Sequence, residues 1–364
     1  MQYVHDLVLR EIAGWLGCDN RALLSMIKVC KHFHERRMIF IRNMYLDCDH
    51  TRKAYAARGN GWNQVYMMTI DGIQPAISEL SSVQHLTFYS SQHLTDFSPL
   101  QQVKHLGLYC CDNITSIAPL NQMETLMLEF CNGLVQLPYL QNLYRVSICN
   151  CPGITDISPL RDVRRLLIEE CQGVTDVSPL SGVYNLKITY CNFIEDVSPL
   201  SGVRILYLGK CPKITPRSLA ALGKVYDLTL DSFFRLKEEH LPSLNTVHKL
   251  TLNRCSELVD VSGLIGVHTL TLTRCQLLSV LCPADTLHIL GCNQVRDVSM
   301  LSSVRELTLT DCDGIIDVSA LGSGSIKKLA ISWCNNIIDV SALKNVEHLK
   351  IRNCRYISYP LTDW

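Results

Sequence analysis

The chain has no net charge to exploit. Its 364 residues set 34 Lys+Arg against 34 Asp+Glu, which excludes a global basic field for nucleic acid or an anionic membrane surface. With 47% hydrophobic residues it is not a disordered chain either, since disorder needs low hydrophobicity and high net charge. No apolar run reaches about 18 residues, so no segment is expected to span a membrane. The opening MQYVHDLVLREIAGWL has no basic n-region, apolar h-region or small-residue cleavage site, and no secretory leader is expected. P-loop, G-x-S-x-G and H-E-x-x-H patterns are all missing. The chain is therefore expected to be a non-enzyme without catalytic residues or cofactor.

What the sequence does have is 18 cysteines. Cys111, Cys131, Cys151, Cys171, Cys191 and Cys211 fall 20 residues apart, and the text around them recurs. VRRLLIEECQGVTDVSPLSG (163–182) is followed by VYNLKITYCNFIEDVSPLSG (183–202). The template is V-x-x-L-x-L-x-x-C-x-x-I/V/L-x-D-V/I-S-P-L-x-x. Units start at 65, 83, 103, 123, 143, 163, 183, 203, 225, 247, 267, 284, 304, 326 and 346, which makes fifteen. A period this persistent decides the architecture. The L-x-L alternation predicts a strand with one face inward. A unit so short buries that face only by stacking on its neighbours.

The pattern resembles the leucine-rich repeat, L-x-x-L-x-L-x-x-N/C-x-L, over residues 65–364. The resemblance implies a solenoid: a curved parallel β-sheet backed by short 3₁₀ or helical convex turns, α/β in class. Twelve cysteines occupy the ninth position of a unit, with Ser91 and Phe233 taking it in two others. A small, mostly apolar residue with a weak S–H donor suits an inward-pointing place there. One thiol per rung is not a zinc site, which needs clustered ligands, and no metal is expected. The C-x-H spacings among Cys30, His32, His34, Cys48 and His50 are not those of known fingers. Ladder thiols fit a reducing compartment, cytoplasmic or nuclear. In the second half-unit, Ser-Pro pairs such as Ser178-Pro179 read as an N-cap and a first-turn proline. The 22-residue units at 203 and 225 are expected to carry longer helical turns.

Residues 1–45 stand outside the repeat and carry helical spacings at Val4, Val8, Ile12 and Leu16, then at Leu23, Leu24 and Ile27. Val4-His5-Asp6-Leu7-Val8-Leu9, Ile12 and Leu16, followed by Leu23-Leu24 and Val29-Cys30-Lys31, resemble the F-box. His5, Leu7 and Ala22 depart from that motif. The resemblance implies a helical module at 1–45 that docks a Skp-type adaptor through Val4, His5, Val8, Ile12, Leu16, Leu23, Leu24 and Val29. Residues 46–64 read as a linker or cap, and 65–364 as the solenoid.

In this register the third, fifth, seventh and eighth positions face outward on the concave side. They supply Tyr89, Tyr109, Phe130, Tyr190, Tyr207 and Trp333 among aromatics, and Glu129, Glu169, Glu170 and Asp231 among acids. Arg254 and Arg274 join further bases at Arg145, Arg165 and Lys187. Exposed aromatics and arginine on a rigid sheet are the material of binding hot spots, so a protein target is expected on this face. Together the two resemblances imply a substrate receptor of a cullin-type ubiquitin ligase, monomeric outside its complex. The alternative is a scaffold, structural or phosphatase-regulator-like protein in which the N-terminal helices only cap the solenoid.

Overall fold

A computed structural model describes residues 83–357 apart from 92–95, 119, 121 and 324, together with the backbone of two earlier strands. The expected F-box-like residues from Val4 to Val29 lie outside the described residues. The chain divides into two compact units, Met1–Gly133 and Leu134–Trp364.

In the first unit the strands are β1 (Asn43–Leu46), β2 (Met67–Asp71), β3 (His85–Tyr89), β4 (His105–Tyr109) and β5 (Thr125–Glu129). They pair in that order, all parallel. The second unit continues with β6 (Arg145–Cys149), β7 (Arg165–Glu169), β8 (Asn185–Thr189), β9 (Ile205–Gly209), β10 (Asp227–Asp231) and β11 (Lys249–Asn253). It ends with β12 (Thr269–Thr273), β13 (Thr286–Leu290), β14 (Glu306–Thr310), β15 (Lys328–Ser332) and β16 (His348–Arg352), again parallel and in chain order. From β2 on, every strand runs from the third to the seventh position of a repeat unit. Register is kept leucine on leucine, as in Leu166, Leu186 and Leu206. β1 lies ahead of the fifteen-unit register and straddles the expected module–linker boundary at 45/46.

Each rung buries its apolar positions together. In the unit at 183 these are Val183, Leu186, Ile188, Cys191, Ile194, Val197 and Leu200, none more than 1% exposed. The alternation across the strand puts Leu186 and Ile188 inside, and neighbouring rungs cover them, which is how a unit of 20 residues shares a core. The return segments are too short for α-helix and form 3₁₀ turns such as Ser178–Gly182 and Ser198–Gly202, each burying one leucine. The longer units do carry more helix: α1 (Pro216–Leu219) runs into the 3₁₀ segment Ala220–Lys224, and Glu238–Leu244 forms a seven-residue 3₁₀ turn. The architecture is a leucine-rich-repeat type of stacked strand and 3₁₀ turn.

Two local expectations need correction. The serine before proline is not the capping side chain. Its own N–H is instead taken by the aspartate two residues earlier, as in Asp156 Oδ1 to Ser158 N and Asp196 Oδ1 to Ser198 N, both 2.8 Å. That is an Asx turn, and the hydrogen bond from the Ser198 N–H holds the Asp196 carboxyl below its ordinary value. The eighth position is not in the strand. It sits at positive φ in every described rung, from Ser90 (φ 50°) through Glu170 (53°) and Lys210 (53°) to Trp333 (57°). Only one such position, Gly291, is a glycine. Non-glycine residues adopt this region at a cost of about 1 kcal/mol.

A hydrogen-bond ladder holds that bend. The eighth-position N–H donates to the seventh-position carbonyl of the next rung: Glu170 to Thr189, Tyr190 to Gly209 and Lys210 to Asp231, each 3.0 Å. The reversal then turns the ninth side chain inward. Cys171 Sγ donates to the Glu169 carbonyl at 3.3 Å and to that of Ile148, in the previous rung, at 3.5 Å. Cys131 does the same with Glu129 and Leu108. Ser91 and Phe233 occupy the same buried place. Burial pushes the thiols of Cys171 and Cys191 up to about 11 and about 12, so they are poor nucleophiles at neutral pH. In later rungs the thiols keep the same arrangement, Cys275 Sγ donating to the Leu252 and Thr273 carbonyls, both at 3.7 Å.

Of the fifteen described cysteines twelve are buried, Cys110 is exposed, and Cys149 and Cys354 are half-buried. Among them, a thiol reagent applied to folded protein is therefore expected to label Cys110, Cys149 and Cys354 within minutes and the other twelve only after denaturation. Peptide mapping by mass spectrometry checks this; early labelling of Cys171 or Cys191 would contradict the buried ladder.

Candidate functional site

The open face of the sheet is built from the fifth and seventh positions of each strand and from the eighth, which the positive-φ bend lifts beside them. In the second unit the most connected group on this face centres on Asp231, the last residue of β10. The periodicity put Asp231 at the surface, yet it is only 6% exposed. Its neighbour in register is Gly209, which has no side chain to cover, and the Tyr207 ring lies over that gap: a Cβ on Gly209 would meet Tyr207 Cε1 at 2.9 Å.

A buried carboxylate needs donors; two side chains supply them and an arginine adds its charge. Tyr207 Oη donates to Asp231 Oδ2 at 2.7 Å and Ser232 Oγ to Oδ1 at 2.9 Å. Arg254 Nη1 stands 3.7 Å from Oδ1. Burial, and then the hydrogen bond to Asp231, push the Tyr207 hydroxyl up to about 12, so at neutral pH it is a fixed donor. Lys187 Nζ lies 5.1 Å from the centre of the Tyr207 ring, and Lys210 both caps the Tyr190 ring at 4.3 Å and donates to its hydroxyl. Two buried polar atoms in the same seventh-position row, Thr189 Oγ1 and Asn253 Oδ1, have no hydrogen-bond partner. The group is pre-organised and polar.

The other expected residues fall into three places. Glu169 ends β7, and Glu170 and Tyr190 are half-buried, Tyr190 under Lys210. Arg254 and Arg274 are exposed at positive-φ positions, as is Trp333, 55% exposed three rungs beyond Arg274. In the first unit Tyr89 and Tyr109 stack with ring centres 4.6 Å apart, Glu129 ends β5, and Phe130 follows it, exposed. One face thus carries all of them in its own unit, without one focus. Sequence reasoning passed over Lys210, Ser232 and Thr189 because it chose by residue type, and over the second position of each unit because the strand starts at the third. Alignment of the units shows that column directly.

At the N-terminal end of β3 and β4, His85 stacks on His105 with ring centres 3.7 Å apart, and His105 Nδ1 lies 2.8 Å from Thr125 Oγ1. Burial, and then the charge of His105, bring His85 down to about 4. Burial also lowers His105.

No family model matches the chain, and no curated protein matches it. Among solved structures it is similar to an internalin, InlF, from Listeria monocytogenes, at 18% identity and TM-score 0.44, over 80% of this chain and 86% of that one. It is similar also to internalin C2 of that organism, at 22% identity and TM-score 0.34, over 54% and 84%. A third is the functional domain of InlJ from the same organism, described as including a cysteine ladder, at 17% identity and TM-score 0.37, over 78% and 65%.

Two outcomes test this surface. Tyr207→Phe leaves the buried Asp231 carboxylate short of a donor and is expected to cost about 1–3 kcal/mol in urea unfolding; an unchanged midpoint would show that the carboxylate is not held this way. For His85, a folded-state value below the unfolded one means that the unfolded chain binds more protons between about 4 and 6.5. Stability is therefore complete above that window and falls as pH drops through it. The thermal midpoint of His85→Asn should decline less from pH 7 to pH 5 than that of the unsubstituted chain, and parallel curves would refute the link.

Proposed function

We propose that the chain is a non-enzymatic recognition protein that binds a protein partner on the open face of its sheet, with the Asp231 group as the anchor. The observation that carries this reading is the set Tyr207, Asp231, Ser232 and Arg254, already ordered before any partner arrives. Ordered side chains lose little freedom on binding, and tyrosine and arginine in a desolvated setting are what binding hot spots are made of. Tyr190, Glu170, Arg274 and Trp333 extend the face on either side. In the first unit Tyr89, Tyr109, Glu129 and Phe130 offer a second aromatic patch.

The finer reading, a substrate receptor that a cullin-type ligase reaches through a Skp-type adaptor, rests on the Val4–Lys31 motif alone. The open face serves equally for a scaffold with a helical cap, so adaptor binding separates the two. Full-length chain that fails to bind a Skp-type adaptor at micromolar concentration excludes the ligase reading and leaves the recognition face untouched.

Affinity purification from the native cell with quantitative mass spectrometry tests the face itself. The partner recovered with the unsubstituted chain is expected to fall at least tenfold with Arg254→Ala combined with Tyr190→Ala, two side chains at the edge of the Asp231 group. Equal recovery with the substituted chain, shown folded by its melting curve, would place recognition elsewhere.

A further inference from the structure

The residue just before each strand of the second unit forms a column that the open-face reading does not use. In successive rungs it is Tyr144, Arg164, Tyr184, Arg204 and Tyr226, and His248 and His268 continue it. Their backbones are part of the ladder: the Tyr144 carbonyl accepts from Arg165 N, that of Arg164 from Asn185 N and that of Tyr184 from Ile205 N, each at 3.0 Å. The side chains are thus fixed at the strand spacing, about 4.8 Å. Arg164 Cζ lies 5.8 Å from the Tyr144 ring centre and 5.2 Å from that of Tyr184. Arg204 lies 4.2 Å over Tyr226, and Arg165 5.6 Å from Tyr144. Tyr226 stacks on His248 at 4.5 Å and His248 on His268 at 4.7 Å.

These side chains face solvent. Tyr144, Tyr184 and Tyr226 are 41–42% exposed, and both arginines of the column are exposed. The charge is one-sided. Over the four rungs from 144 to 205 the second and third positions hold Arg145, Arg164, Arg165 and Arg204 and no acid. None of the four guanidiniums pairs with a carboxylate among the described residues. The acids near the column are already engaged: Asp162 by the Tyr139 hydroxyl at 2.7 Å and by Arg161, Asp227 by Lys249 at 2.9 Å, and Asp285 faces His268 at 3.8 Å. A guanidinium held beside an aromatic ring, with no carboxylate of its own, can still turn its N–H fork to a partner's carboxylate with two hydrogen bonds.

We propose that this column is a second interaction surface, and that it binds an extended acidic peptide segment of a protein partner. Arg164 and Arg204 are two rungs apart, about 10 Å, the length of three residues of extended chain. In a polyproline II conformation, with three residues per turn, a segment with a carboxylate at every third residue presents them on one face. It can engage both arginines, while Tyr184 between them takes an intervening apolar side chain. The chain as a whole is neutral, so no wide basic field draws in a nucleic acid. The recognition is local and depends on arginine geometry. The surface is separate from the Asp231 group, so it stands or falls independently of the open-face reading.

Fluorescence anisotropy with the full chain tests it. The probe is a fluorescein-labelled peptide of repeated Glu-Ala-Pro, and the comparison is a labelled single-stranded oligonucleotide of equal net charge. The peptide is expected to bind saturably and more tightly than the oligonucleotide. Arg164→Ala with Arg204→Ala should weaken it at least tenfold, and the two arginine-to-lysine changes several-fold, since charge is kept and the fork lost. Lys350→Ala with Arg352→Ala, at the far end of the unit, should change nothing. No saturable peptide binding, tighter oligonucleotide binding, or equal losses at the far end would each overturn the proposal. The lysine pair, which preserves the charge and bulk of the column, guards against loss of fold.

Discussion

Every rung of this chain depends on one bend. At the end of each described strand from β3 on the eighth residue turns to positive φ, and in most rungs its N–H reaches the next rung's carbonyl. The ninth side chain swings inward, where a cysteine donates to one or two carbonyls. The ladder bond holds the bend against the local cost of the left-handed conformation. With the bend fixed, three things follow: the thiol is buried, the Asp-Ser turn starts at a constant distance, and the eighth side chain is lifted onto the open face. Cys171 and Glu170 show the two sides of it, adjacent in the chain, one in the core and one on the open face.

The bend also explains why most of the described cysteines are buried. The ninth position selects a small group that can donate weakly and tolerate full burial. Ser91 meets the size and the donor, and Phe233 meets only the burial, yet both rungs keep their strands in register. What the place requires is filling and turning, and the thiol is the residue that does both at the standard unit length.

Much of this was legible in the sequence, because stacked units repeat the same demand many times. Val183, Leu186, Ile188, Cys191 and Leu200 each appear in the template and each is core. The strands begin and end at the template's third and seventh positions. The bend was not legible, since Phe130, Glu170, Lys210, Arg254 and Trp333 share no property that announces positive φ; the tertiary ladder imposes it. The capping role passed from Ser198 to Asp196 because a 3₁₀ turn starting at the serine leaves its N–H facing back. The candidate site was legible by residue but not by arrangement. Asp231 is buried because Gly209 beside it has no side chain and Tyr207 folds across, a relation between rungs 22–24 residues apart that a single unit does not contain. The tyrosine–arginine column was present in the text as an alternation one residue ahead of the strand.

The bend itself is open to direct measurement. Amide hydrogen exchange in the native chain reads whether the N–H groups of residues such as Glu170, Lys210, Arg254 and Trp333 are bonded to the next rung. They are predicted to exchange as slowly as strand-interior amides of Leu186 and Leu206, although their side chains lie at the surface. Exchange at the rate of an open turn would contradict the ladder, and with it the placing of every side chain on the recognition face.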